Sequence, residues 1–140
     1  MHETIGIVVF THGSRLPAGN EALVQVVRQL RQRLGSLRIE PAFMEIAQPT
    51  IPFAIRQLVQ QGCTHILGYA LFLVPGTHLQ EDIPAIFAAA LKENPSITWE
   101  ITPPMLAEPG LLDFVVGRLQ AGREPLQSPS VVLRLQGGGI

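Results

Sequence analysis

The segment IGIVVFT, residues 5–11, is a nearly unbroken run of apolar, largely β-branched side chains. That pattern predicts a strand covered on both faces, as in a parallel sheet. It stops abruptly at His12, Gly13, Ser14 and Arg15. From Asn20 to Leu34 the period changes: Leu23, Val26, Val27, Leu30 and Leu34 recur at three- and four-residue steps. This predicts an amphipathic helix with Asn20 able to cap its start and Gly35 its end. The alternation then repeats. Strands are predicted near 37–45, 65–72 and 97–102, and helices near 50–61, 80–93 and 109–121. The helix signals are Thr50 with Pro52 ahead of Gly62, Asp82 and Pro84 in a first turn, and Gly122 at a C-terminus.

Strands separated by helices of this length imply right-handed βαβ crossovers, hence an α/β protein with a doubly wound, four-stranded parallel sheet and helices on both faces. The expected architecture is a flavodoxin-like three-layer sandwich of strand order 2-1-3-4. At 140 residues the chain has the length of one domain, expected over residues 1–122. Residues 123–140, with two prolines, a strand-like Val131–Leu135 and a run of three glycines, read as a C-terminal extension that adds an edge strand or a subunit contact.

Composition narrows the function classes. Apolar residues make up 46% of the chain and charged residues 15%, as in globular domains and unlike disordered ones. The longest apolar run, Ile66 to Val74, stops at Pro75, whereas a membrane helix needs about 20 residues. With no basic segment before the first apolar run and no small-residue cleavage site, a signal peptide is not expected, and a cytoplasmic location is the default. Cys63 is the only cysteine, so an internal disulfide and a thiolate cage for zinc are both excluded. The net charge is −1, and apart from Arg28, Arg31, Arg33 and Arg38 the basic residues are scattered, so nucleic-acid capture is not expected.

In parallel α/β sheets ligands bind beyond the carboxyl ends of the strands. The first strand ends at His12, the second at Glu45, and the third runs into a loop carrying His78; with order 2-1-3-4 these endings are neighbours. Two imidazoles and a carboxylate suit Fe²⁺, Co²⁺, Ni²⁺ or Zn²⁺ better than Ca²⁺ or Mg²⁺. The structural readings stand beside this one. A histidine after a strand also serves as a loop residue bonded to nearby backbone, and Glu45, expected to be partly buried, also fits a cap for the helix near Thr50. Glu81 and Asp82 suit a helix N-terminus whatever the function. His2, at the terminus, and His65, at the opposite sheet edge, are expected to be solvated or structural. Gly13 and Gly76, in HGSR and VPGTH, offer backbone N–H groups to an anion.

Three motifs, THGSRLPAGNE, MEIAQPTIPFAI and LFLVPGTHLQEDIP, resemble in order and spacing the small class II tetrapyrrole chelatases, the sirohydrochlorin cobaltochelatase and ferrochelatase group with its nickel-inserting relatives. The resemblance spans about residues 5–120 and implies a chelatase-like fold. It also implies ATP-independent insertion of Co²⁺, Fe²⁺ or Ni²⁺ into sirohydrochlorin, on the way to siroheme, cobalamin or a nickel tetrapyrrole, with no cofactor beyond the metal substrate. By motif, His12 is implied as metal ligand and proton acceptor, His78 as second ligand, and Glu45 as the acid near the metal or macrocycle. Leu71, Phe72, Leu73, Val74, Pro75, Gly76 and Thr77 are implied as the macrocycle lining. A net charge of −1 does not draw in the carboxylates of sirohydrochlorin at long range, so local donors are expected to meet them: the N–H groups of the two glycine loops, Ser14 and Arg15, helped by Arg56, although Arg15 equally suits a solvated loop residue.

Two positions depart from the family pattern, Gln48, often acidic in relatives, and Glu108, where some members carry histidine; both bear on metal preference. The chemistry agrees with the residues: metallation removes two N–H protons, and a neutral imidazole, of reference pKa about 6.5, serves as ligand or base. One domain is small for enclosing a tetrapyrrole, so a homodimer is expected. Two rival readings are a non-catalytic flavodoxin-like tetrapyrrole or metal carrier and a histidine-nucleophile phosphatase. The latter lacks its arginine clamp, since Thr11 precedes His12.

Overall fold

The computed structural model describes residues 3–74, 76 and 79–122, position 79 by its backbone. His2 and the extension over 123–140 lie outside the described residues, as do Pro75, Thr77 and His78. Among the described residues four strands, β1 (Ile5–Thr11), β2 (Arg38–Phe43), β3 (His65–Ala70) and β4 (Thr98–Ile101), alternate with four α-helices, α1 (Pro17–Arg33), α2 (Ile51–Gln60), α3 (Leu79–Ala90) and α4 (Pro109–Ala121). The strands pair in parallel in the order β2-β1-β3-β4. The chain divides into two compact units, Met1–Met105 and Leu106–Ile140.

The first unit holds the sheet and α1–α3. Val8 and Phe10 of β1 join Ile51, Ile55 and Leu58 of α2 and Ile83, Phe87 and Leu91 in one core cluster. Val9, on the opposite face, packs with Leu23 and Val27 of α1 and with Ile39 and Phe43 of β2. Thus β1 is buried on both sides, which accounts for its unbroken apolar sequence. Arg31 reaches from α1 to β2, donating through Nε to the Ile39 carbonyl at 2.8 Å and pairing with Glu40 at 3.2 Å. Part of the arginine cluster is therefore spent on holding an edge strand.

The first helix begins three residues before the expected Asn20. Pro17 at its first position needs no N–H partner, and Leu16 precedes it with no side-chain cap. Asn20 is free for another task. The second helix starts as the sequence predicts: Thr50 Oγ1 accepts the Phe53 N–H at 3.3 Å. At the sheet edge opposite the carboxyl ends, His65 lies 2.6 Å from Thr98 Oγ1 and 3.5 Å from Glu100, the structural role expected for it.

The second unit contains α4, which has no buried residue; Leu112 and Leu119 are 67% and 69% exposed and Phe114 is 64% exposed. No helix among the described residues is long and apolar enough to cross a membrane.

Candidate functional site

The strand order creates a crevice. The chain leaves β1 towards β2 and leaves β3 towards β4, so the carboxyl ends of the adjacent strands β1 and β3 flank the point where the winding reverses. His12 follows β1, and Phe72 follows β3 by two residues. Their rings lie 5.8 Å apart between centroids. Phe72 is anchored edge-on against buried Phe10, at 5.9 Å. The imidazole is thus exposed at the rim with one side supported by an aromatic ring.

The backbone beneath His12 is held from β2. Past the strand ends the ladder continues: Met44 N–H donates to the Thr11 carbonyl at 2.9 Å and Glu45 N–H to the His12 carbonyl at 3.0 Å. The segment after β2 closes on itself through Phe43 N–H to the Pro49 carbonyl at 2.8 Å. Within it Ile46, a β-branched residue, sits at φ 75° and is 61% exposed, an uncommon conformation for such a side chain. Gly13 has φ +101°, and a Cβ added there would be driven into the Glu45 carbonyl oxygen. His12 and Glu45 are therefore locked together through the main chain by a glycine that nothing larger can replace without movement.

Glu45 differs from expectation. Its side chain is exposed, not partly buried, because Met44 takes the inward position against the core and the next residue turns to solvent. It is not the cap of α2 either, since Thr50 fills that place. Ser14 is half-buried, and Arg15 is exposed and forms no ion pair with a described residue. Its N–H neighbours are partly committed, because Asn20 Oδ1 accepts the Ser14 N–H and Ser14 Oγ accepts the Leu16 N–H. Arg56 is exposed on α2, with its guanidinium 6.0 Å from the Phe53 ring.

The loop after β3 is divided. Leu71 is half-buried and packs with the α1-side core, beside Tyr69. Phe72 turns to the other side and borders a cavity of about 210 Å³ formed with Ile83 and Pro84 of α3 and with Ile101, Thr102 and Pro104. Leu73 and Val74 are 55% and 61% exposed, and Gly76 is exposed. Among the described residues no three His, Cys, Asp or Glu side chains gather in a metal-binding cluster; the second implied ligand, His78, is outside them. Cys63 is buried against Gly6 and Leu58. Burial pushes its thiol up, with Arg38 pulling weakly the other way, so it acts as a small apolar group and not as a ligand.

Known proteins are similar to this chain in sequence and in fold. A family model described as CbiX matches residues 6–121. The chain is 39% identical over 115 residues to "Sirohydrochlorin ferrochelatase, chloroplastic" of Arabidopsis thaliana, a match covering 82% of this chain and 51% of the plant protein. It is 32% identical over 129 residues to a sirohydrochlorin cobaltochelatase of Methanosarcina barkeri, covering 86% of this chain and 98% of the archaeal one. It thus spans about half the length of the plant relative and nearly all of the archaeal one. The sirohydrochlorin chelatase SirB from Bacillus subtilis subspecies spizizenii, in complex with cobalt, superposes with a TM-score of 0.69 at 27% identity, over 84% of this chain and 50% of SirB. The parallel α/β sheet with its exposed histidine at the winding reversal is accordingly that of a member of the CbiX family, to which this chain belongs.

Proposed function

We propose that this protein is a chelatase that inserts Co²⁺ or Fe²⁺, with Ni²⁺ as a further candidate, into sirohydrochlorin without ATP or a resident cofactor, in the formation of siroheme or a cobalamin-type tetrapyrrole. The observation that carries this reading is the solvent-facing His12 imidazole at the winding reversal, steadied by Phe72. The names of the archaeal and plant relatives support it.

Metallation exchanges two pyrrole N–H protons for one divalent ion, so it needs a base beside a loosely held metal. In this reading the unprotonated nitrogen of His12 first helps hold the arriving ion and, once the ion has passed to the macrocycle nitrogens, accepts one pyrrole proton, the second leaving to solvent water. Glu45, tied to His12 through the backbone, adds negative charge where the cation enters. Arg15 and the loop amides meet the carboxylates of sirohydrochlorin, which the net charge of −1 does not attract at long range. Phe72, Leu73, Val74 and Gly76 line the macrocycle. His78 is assigned as the second metal ligand, and Pro75 and Thr77 to the same lining, from the sequence.

Purified protein given sirohydrochlorin and Co²⁺, Fe²⁺ or Ni²⁺ in turn is expected to accelerate the absorbance change of metallation. No acceleration with any of the three overturns the reading. The relative rates rank the metals, which ligand chemistry does not, since nitrogen and oxygen donors follow the Irving–Williams order.

The working form is proposed to be a homodimer in the cytoplasm. A single domain is small for enclosing a tetrapyrrole, and a closed two-fold arrangement is the commonest kind of oligomer. Sedimentation at micromolar concentration is expected to give a two-chain species, and monomer alone would argue against it.

A further inference from the structure

We infer that Asn20 is a positioning residue that holds Ser14 and Arg15 in place to receive the carboxylates of the macrocycle. The inference rests on the chelatase reading above and deepens it.

One side-chain amide grips Ser14 from both ends. Asn20 Oδ1 accepts the Ser14 N–H at 2.8 Å, and Asn20 Nδ2 donates to the Ser14 carbonyl at 2.7 Å. Few side chains can do this, because the grip requires a donor and an acceptor on one planar group. With its peptide groups occupied, Ser14 turns its Oγ to accept the Leu16 N–H at 3.0 Å, which closes the entry into α1. Gly19 completes the seat. A Cβ at position 19 would lie 3.2 Å from Ser14 Cβ, so the helix backbone abuts the loop where a larger residue would push it away.

The grip explains why a residue suited to helix capping stands inside the first turns of α1 while Leu16 precedes the helix uncapped. It also selects the loop's donors. The Ser14 and Leu16 N–H groups are consumed, whereas those of Gly13 and Arg15 have no partner among the described residues and, with the exposed Arg15 guanidinium, are the donors left for an anion. His12 is held separately, by β1 and by the Glu45 N–H. Loss of Asn20 should therefore loosen the carboxylate-binding segment and spare the metal-binding imidazole.

Asn20→Ala and Gly19→Ala are compared with the wild type in cobalt insertion into sirohydrochlorin. Melting temperatures and hydrogen exchange at the Ser14 amide are read alongside. Asn20→Ala is expected to raise the KM for sirohydrochlorin about tenfold, below the roughly 10²-fold that a 1 Å misplacement can cost, with the KM for Co²⁺ unchanged and faster exchange at Ser14. Gly19→Ala is expected to raise the sirohydrochlorin KM by a smaller factor with a melting temperature close to wild type, because the helix preference of alanine offsets the tight contact with Ser14. A purely structural role would move both KM values, or kcat, together with the melting temperature. The inference is overturned alone if the wild type turns over while both variants keep its sirohydrochlorin KM, or if Ser14 exchange in Asn20→Ala is unchanged. A wild-type protein that neither binds nor metallates sirohydrochlorin overturns it together with the chelatase reading.

Discussion

His12→Ala is expected to fold, to bind sirohydrochlorin, and to lose metallation by about two to four orders of magnitude, the range attached to removal of a general base. The side chain is exposed and makes no hydrogen bond to a described residue; its ring contact is with Phe72. Little packing is lost with it, so the melting temperature should stay close to that of the wild type. Phe72 itself is held by Phe10 and keeps its place when the imidazole is gone. The absorbance change on metallation, followed with saturating Co²⁺, measures the loss, and a titration of sirohydrochlorin without metal measures the binding that survives. This pair of measurements separates the enzyme from a carrier: a carrier would bind in both forms and turn over in neither. A variant that keeps wild-type turnover removes His12 from the chemistry.

Gly13→Ala is the second large effect, and it acts on stability and activity together. At φ +101° an L side chain is strained by an amount on the order of 1–3 kcal/mol. The new methyl group would also meet the Glu45 carbonyl oxygen, so the His12–Glu45 backbone bond must open to admit it. The combined cost is expected to be on the order of 3 kcal/mol, a fall of roughly 10 °C in melting temperature for a chain of this size. Because typical folding stabilities are about 5–15 kcal/mol, the variant should still fold, with the end of β1 separated from the segment after β2. Metallation should then fall well beyond what the fraction unfolded explains. Calorimetry and the chelation assay on the same preparation test both parts. A variant as stable and as active as the wild type would mean that the turn at residues 12–14 is not a fixed element.

Among the described residues the α/β class and β1 and α1 follow from periodicity, because burial on one face or on two leaves its mark at every second, third or fourth residue, while α2, α3 and α4 are marked by their Thr, Pro and Gly end signals. Boundaries were less legible. The expected start of α1 at Asn20 failed because an asparagine near a helix start has one reading in sequence and two in space: it can cap its own helix or grip a loop. The early start with Pro17 was visible only once the amide was seen at Ser14. The exposure of Glu45 was equally hidden, since it depends on Met44 taking the inward place. The positive φ of Ile46 has no counterpart in its residue type, which normally avoids that region.

The sequence by itself determined the alternation of strands and helices, the histidine at the end of β1 and, through three spaced motifs, the family; the strand order 2-1-3-4 was only the common one for such sheets until the pairing showed it. The alternation, the histidine and the family rest on local periodicity and on residue chemistry at fixed separations along the chain. Only the tertiary structure decided how that histidine is held: the Phe72 ring beside it, the main-chain tie to Glu45, the glycine that permits the tie, and the asparagine that clamps Ser14. Each of these joins residues through a distance or a dihedral angle, and such quantities exist only after parallel pairing has brought the ends of β1, β2 and β3 side by side.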